Sequence, residues 1–214
     1  MTDFTNAIPN GVIQTEPLSP TNTFINAGNV TLSSATVKDY RQWAHSDIVG
    51  NTNRGALAEF IVGTAIGLTD GVRDAWAAYD LKTPTGIKVE VKSSAYLQSW
   101  YQKRLSRPAF GIGKSLEWVP ETGEFVGEKR RQADVYVFCL LAFQGDKTLL
   151  DPLDLAQWEF YVVSSKEIDR IHGERRGHSL AQVRELSRMY IHADIAEAVE
   201  SAVAGPGAGP RLQT

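Results

Sequence analysis

Tyr79-Asp80-Leu81 and Val89-Glu90-Val91-Lys92-Ser93-Ser94 are two short β-type runs joined through Lys82-Thr83-Pro84-Thr85-Gly86, a segment of turn-forming residues. Side chains alternate between the two faces of a strand, so Glu90, Lys92 and Ser94 share one face while Val89, Val91 and Ser93 take the other. An acid and a base therefore leave the sheet on the same side, flanked by valines suited to a core. A hairpin between the two runs brings Asp80 beside them, giving a cluster of two carboxylates and an ammonium. The plainer reading of the same residues is a surface hairpin with an ion pair, which contributes little to stability.

Outward from this hairpin, helical spacing of Leu57, Phe60, Ile61, Thr64 and Ala65 predicts a helix over 54–67, capped by Asn53 and carrying Glu59 on its flank. Before the break at Gly50-Asn51-Thr52-Asn53, Ser34 is placed to cap a short helix through Val37, Tyr40, Arg41 and Ala44. Residues 1–33, rich in Thr, Asn, Ser and Pro, read as an extended arm with apolar anchors such as Phe24 and Ile25. Strands are expected over 76–81 and 87–94, followed by a polar helix-like stretch through Tyr96, Gln98, Trp100, Tyr101 and Gln102. A hairpin over 114–119 and 124–127 turns at Pro120-Glu121-Thr122-Gly123. Residues 134–143 are almost continuously apolar, as a central strand buried on both faces requires. A short helix over 151–158, a strand over 160–163, a helical stripe of Leu180, Val183, Leu186 and Tyr190, and a last helix ending near Val203 complete the pattern. Residues 205–214, rich in Gly and Pro, read as a disordered tail.

The bulk numbers bound the function. With 214 residues, 43% hydrophobic and 22% charged, the chain can bury one substantial core, so one domain is the default. Its single cysteine, Cys139, lies inside an apolar run and reads as a buried core residue without a disulfide partner. His172 and His178 lack the i, i+4 spacing of a zinc pair and are placed in a loop by Gly173 and Gly177, so no metal is assigned to them. Gly111 and Gly113 do not open a helix after a strand, which excludes a nucleotide-binding loop of that kind. No segment has the apolar length of a membrane span and no signal peptide is visible, so no membrane association is expected and the cytoplasm is the expected location. A formal charge of −3 argues against a protein that coats nucleic acid without specificity.

The order helix, strand, strand, long strand, helix, strand, with Glu59 on the first helix, Asp80 on the first strand and Glu90 with Lys92 on the second, resembles the PD-(D/E)XK nuclease superfamily over roughly residues 54–164. Tyr79 stands where the proline of the family's name would be. The resemblance implies an α/β fold: a restriction-endonuclease-like mixed sheet in αβββαβ order, flanked by helices, with an inserted β-hairpin and C-terminal helices. Residues 1–53 are then an arm and short helix, 54–164 the nuclease core, 165–204 a helical part of the same domain, and 205–214 the tail. It also implies a metal-dependent endodeoxyribonuclease of restriction, defence or repair type. In that reading Asp80 and Glu90 bind Mg²⁺, or Mn²⁺ in its place, with the backbone carbonyl of Val91. Lys92 positions the attacking water or lowers its pKa, and Glu59 orients a ligand or helps to hold a second metal. Ser94, Gln98, Lys103 and Arg104 are candidate phosphate or substrate contacts. DNA is the implied partner, and a homodimer joined through the C-terminal helices is expected if both strands are cut.

Two alternatives remain at this level: a catalytically silent DNA-binding or assembly module of the same fold, and a carboxylate-metal hydrolase of RNA or nucleotides. Trp100, Tyr101, Lys103, Arg104 and Arg107 interleave aromatics with cations, a mixture that can stack on bases and neutralise phosphates, although tryptophan and tyrosine are more often found in a core. Lys129-Arg130-Arg131 and the group His172, Arg175, Arg176 and His178 are two further basic clusters, each more simply a solvated face.

Overall fold

The computed structural model describes residues 16–26, 28–119 and 122–204. In chain order its elements are β1 (Thr23–Ile25), β2 (Thr31–Thr36), α1 (Val37–His45), α2 (Asn51–Ala65), β3 (Leu81–Lys82), β4 (Lys88–Ala95), β5 (Ala109–Gly111), β6 (Ser115–Val119), β7 (Glu124–Arg130), β8 (Val135–Leu141), β9 (Trp158–Ser164), α3 (Ser165–His172), β10 (Gly177–Ser179), α4 (Leu180–Leu186) and α5 (Ile195–Ala204). The fold is mixed α/β, as expected.

Every residue of β8 is buried, and the two faces of this strand organise the protein. Val135, Val137, Cys139 and Leu141 pack with Ala58, Ile61 and Val62 of α2 and with Ile195, Ala198 and Val199 of α5. Tyr136, Phe138 and Leu140 pack with Phe110 and Ile112, with Ile168 of α3 and with Leu180 and Val183 of α4. A strand covered on both sides must be apolar at every position, which is why this stretch reads as a continuous run. The sheet order is β3-β4-β8-β9. β4 runs parallel to β8, while β3 and β9 are antiparallel to their neighbours. β6 and β7 form the separate antiparallel hairpin inserted between β4 and β8. Among the described residues no helix is long and apolar enough to cross a membrane.

Several local expectations are corrected. α1 is capped by Thr36, reciprocally with Asp39, whereas Ser34 lies within β2. Phe24 and Ile25 sit in β1 and are exposed, so they do not anchor the arm. α2 starts at Asn51, because the Arg54 N–H already bonds the Gly50 carbonyl; the Asn53 amide instead donates to the Asp47 carbonyl. The buried stripe of α2 is Arg54, Ala58, Ile61 and Val62, which leaves Phe60 in solvent. Trp76 lies in a turn and residues 77–80 form bends, and only Leu81 and Lys82 pair as strand. Residues 96–102 are not helical. Residues 147–157 contain two short 3₁₀ turns, capped by Asp146 and Asp154, with Pro152 between them in place of a helix. α4 stops at Leu186, and Tyr190 leaves the helical stripe to bridge to Phe160. The predicted turn residues Pro120 and Glu121, the first fifteen residues of the arm and the tail from 205 lie outside the described residues.

The exit from α2 depends on Gly63. The Leu68 N–H donates to the Gly63 carbonyl at 2.7 Å, and a Cβ on residue 63 would meet the Leu68 carbonyl oxygen at 2.6 Å. Backbone must then move, at a cost of roughly 1–3 kcal/mol that opposes the roughly 1 kcal/mol alanine gains in helix propensity. Gly63→Ala is therefore expected to lower the urea midpoint of unfolding. An unchanged or raised midpoint would show that the turn relaxes freely.

Candidate functional site

β4 sets the geometry. Its register with β8 places Glu90 beside Tyr136 and Lys92 beside Phe138, so the acid and the base emerge together on one face. There the Lys92 ammonium donates to Glu90 Oε1, with both side chains partly buried. Asp80 sits on the bend just before β3. Its N–H donates to the Val89 carbonyl at 3.1 Å, and its Oδ2 accepts the Val91 N–H at 2.7 Å. β3 pairs with β4 only at Lys88 and Val89, so the Asp80 carboxylate takes over the edge of β4 where the ladder stops. A residue's N–H and C=O leave an antiparallel edge on the same side, which directs the Val91 carbonyl to this edge too. Glu59 comes from α2 and is bound by Arg73, through Nε and through Nη2 at 2.6 Å.

The carboxylates act on one another. Burial first, then the charge on Glu90 and a smaller contribution from Glu59, together push the Asp80 carboxyl up to about 7, against the Val91 N–H and the Lys92 ammonium, which both lower it. The same negative field contributes on both faces of the sheet: Tyr136 is raised by burial and then by Glu90, and Cys139 by burial and then by Asp80 and Glu59. Arg73 is raised, chiefly by its hydrogen bonds to Glu59. Negative charge thus accumulates at this site, where Lys92 and Arg73 offset part of it. Hard carboxylate oxygens with an edge carbonyl form a donor set that suits Mg²⁺, an ion that keeps several waters and takes few protein ligands. Among the described residues no three His, Cys, Asp or Glu side chains gather into a closed metal cage, so a bound ion would complete its shell with Val91 and water.

The other sequence candidates separate. Ser94 stays on the face of Glu90 and Lys92, and its hydroxyl accepts the Ala109 N–H at 3.3 Å. Gln98 turns inward. Its Oε1 accepts from Arg54 at 3.1 Å and its Nε2 donates to the Ala95 carbonyl at 3.0 Å, so the amide holds the loop after β4 and is not free for a phosphate. Lys103, Arg104 and Arg107 are exposed on that loop. Trp100 and Tyr101, expected in the core, are 52% and 85% exposed. In the second basic cluster Arg131 is fully buried and paired with Asp169, and Arg130 pairs with Glu117 at 3.0 Å. His172 ends α3 and His178 lies in β10, not in a loop. Their rings approach to 4.4 Å, edge to face, and among the described residues neither nitrogen of His178 has a hydrogen-bond partner. Burial, with the neighbouring His172, Arg131 and Arg175, holds His178 down at about 4.

Two arginines escaped the sequence reading. Arg54 is 4% exposed and ties Ser93, Gln98, Asn51 and the Val49 carbonyl to the start of α2. Its signal was present: it falls one helical turn before Ala58 on the buried stripe. Arg73 lies in irregular chain, and no periodicity marks it.

The family model for bacteriophage T4 endonuclease IV matches residues 9–182. The chain belongs to that family. The match includes α2, β3, β4, β8 and β9, so Glu59, Asp80, Glu90 and Lys92 all lie inside the part this endonuclease IV family member shares. It is accordingly a nuclease. No curated protein and no solved structure matches the chain.

Proposed function

We propose that this endonuclease IV family member is a metal-dependent endodeoxyribonuclease whose active site is the PD-(D/E)XK set of Asp80, Glu90 and Lys92. The convergence of these three groups at the open edge of β4, with Asp80 seated on the Val91 N–H, carries the reading. Asp80, Glu90 and the Val91 carbonyl would hold Mg²⁺ or Mn²⁺. When bound, that ion lowers the pKa of water and offsets charge on the phosphoryl oxygens.

Lys92 stands beside the carboxylates and can orient a water by hydrogen bonding or pair with a phosphate oxygen, the more strongly because the site is partly withdrawn from solvent. Glu59 stands behind Asp80, adds to its negative surroundings and is held in place by Arg73. Arg73 is half-exposed and can turn from Glu59 toward an arriving phosphate. Restriction, defence or repair work in the cytoplasm fits this chemistry, and cutting both strands of a duplex would take two copies of the site.

Supercoiled plasmid incubated with Mg²⁺ or Mn²⁺ is expected to become nicked or linear, and a chelator to prevent it. Plasmid left intact in both metals by folded protein would overturn the proposal. Cleavage of RNA but not DNA would keep the site and overturn the substrate.

A further inference from the structure

Beyond Glu90 and Lys92, the chain leaving β4 makes a loop whose inside and outside are chemically opposite. Inside, Gln102 Oε1 accepts the Gln98 N–H at 2.7 Å, while its Nε2 donates to the Tyr96 carbonyl at 3.1 Å and to the Ser106 hydroxyl at 3.1 Å. Lys147, in the chain that follows β8, donates to the Gln98 and Trp100 carbonyls at 2.7 and 2.6 Å. The backbone is therefore fixed by side chains, although it has no regular structure.

Outside, the exposed Trp100 and Tyr101 stand with Leu105, Arg104 and Arg107 around an open pocket of about 490 Å³. Residues 96–114 carry four cations, Lys103, Arg104, Arg107 and Lys114, and no acid, in a chain whose net charge is −3. Among the described residues no acid pairs with Lys103, Arg104 or Arg107. Both ends of the loop return to the end of β4: the Ser106 N–H bonds the Tyr96 carbonyl, and the Ala109 N–H bonds the hydroxyl of Ser94, which shares the face of Lys92.

We propose that this loop is a nucleobase-binding subsite, in which Tyr101 and Trp100 stack on bases of the strand held by the active site and Arg104 and Arg107 neutralise its adjacent phosphates. The inference rests on the nuclease reading above and deepens it. Rigid aromatics beside unpaired arginines are the physical content of a stacking platform: the rings accept any base on a π-face, and the cations track the backbone. Tryptophan, tyrosine and arginine also dominate protein interfaces. Here the unmatched positive charge and the shared strand with Lys92 favour the nucleic acid.

The test measures binding in a chelator, so that nothing is cut, of an oligothymidylate and of an abasic deoxyribose-phosphate chain of equal length. Wild type is expected to bind the abasic chain about tenfold more weakly, in keeping with the stacking energy of one or two bases. Tyr101→Ala and Trp100→Ala should lose that preference, binding both probes alike. The double variant Arg104→Ala, Arg107→Ala should weaken both probes equally and flatten the dependence of binding on salt. The four side chains are exposed, so folding is expected to survive, and circular dichroism checks it. The proposal falls if the aromatic variants keep the wild-type preference, or if their effect is confined to self-association in sedimentation. Plasmid cleavage with no base preference would leave the nuclease reading standing and remove this one; base preference without cleavage would do the reverse.

Discussion

Lys92→Ala is expected to cut the rate of plasmid cleavage by about a thousandfold or more while leaving the protein folded. Removing one positioned charge or donor from a reacting phosphoryl group or oxyanion typically costs a factor of about 10²–10³, and losing an aid to proton transfer costs a further share. Lys92 is the ammonium bonded to Glu90 on the strand that also provides the Val91 edge, whereas Lys88, the other lysine on that face of β4, lies over the Tyr79 ring at 5.2 Å. The fold has little reason to fail, because the side chain is one-third exposed and contributes its ion pair to the site and not to either core. Its loss does remove a charge that lowers the Asp80 pKa, so Asp80 in the variant should hold its proton to higher pH. Single-turnover cleavage beside a thermal unfolding curve makes the measurement. Undiminished cleavage in a folded variant would remove Lys92 from the mechanism.

What the sequence disclosed follows from where local pattern and tertiary environment agree. Period-two alternation survives folding in β4 because only its Val89, Val91 and Ala95 face packs into a core, and the continuous apolar run survives in β8 because that strand is covered on both faces. The pair Glu90 and Lys92 is legible for the same reason: Val89 and Val91, alternating with them and facing the core, fix the face they must take. The inserted hairpin announced itself by its turn, where Gly123 adopts a positive φ and its N–H returns to the Val119 carbonyl.

Where local pattern and tertiary contact part, the reading failed. Residues 96–102 have helix-like spacing, yet Gln98, Gln102, Ser106 and Lys147 satisfy the backbone by tertiary hydrogen bonds, and the aromatics consequently face outward. The sequence pattern puts Asp80 on a strand, but its backbone joins the β4 edge through a single bond from a bend. Helical spacing puts Phe60 on the apolar stripe because it gives the stripe only to within a residue or two, yet Phe60 is exposed. A buried arginine, Arg54, occupies the true stripe, a choice that only its four hydrogen-bond partners explain.

Asp80→Asn should abolish the response to metal while stabilising the metal-free protein at neutral and higher pH. The Asp80 carboxyl is raised from 3.8 to about 7, first by burial and then by Glu90, so between those values the folded state holds a proton that the unfolded chain has released. Stability of the metal-free protein therefore declines as pH rises from about 4 to 7, and above 7 the full penalty of an ionised Asp80 is present, of the order of a few kcal/mol. Asparagine removes the titration and keeps an oxygen for the Val91 N–H. His178 works in the opposite sense: its depressed pKa costs stability as pH falls from about 6.5 to 4, but it does so equally in both proteins and cancels in their difference. In chelator, the wild-type melting temperature should fall relative to that of Asp80→Asn between pH 5 and 8. Added Mg²⁺ should raise the wild-type value at pH 8, less at pH 6 where a proton must first be displaced, and leave the variant unmoved. Equal metal stabilisation of the two proteins would place the ion elsewhere. A pH-independent difference between them would show that Asp80 stays ionised across the range and that its burial is relieved by groups other than Lys92 and the Val91 N–H.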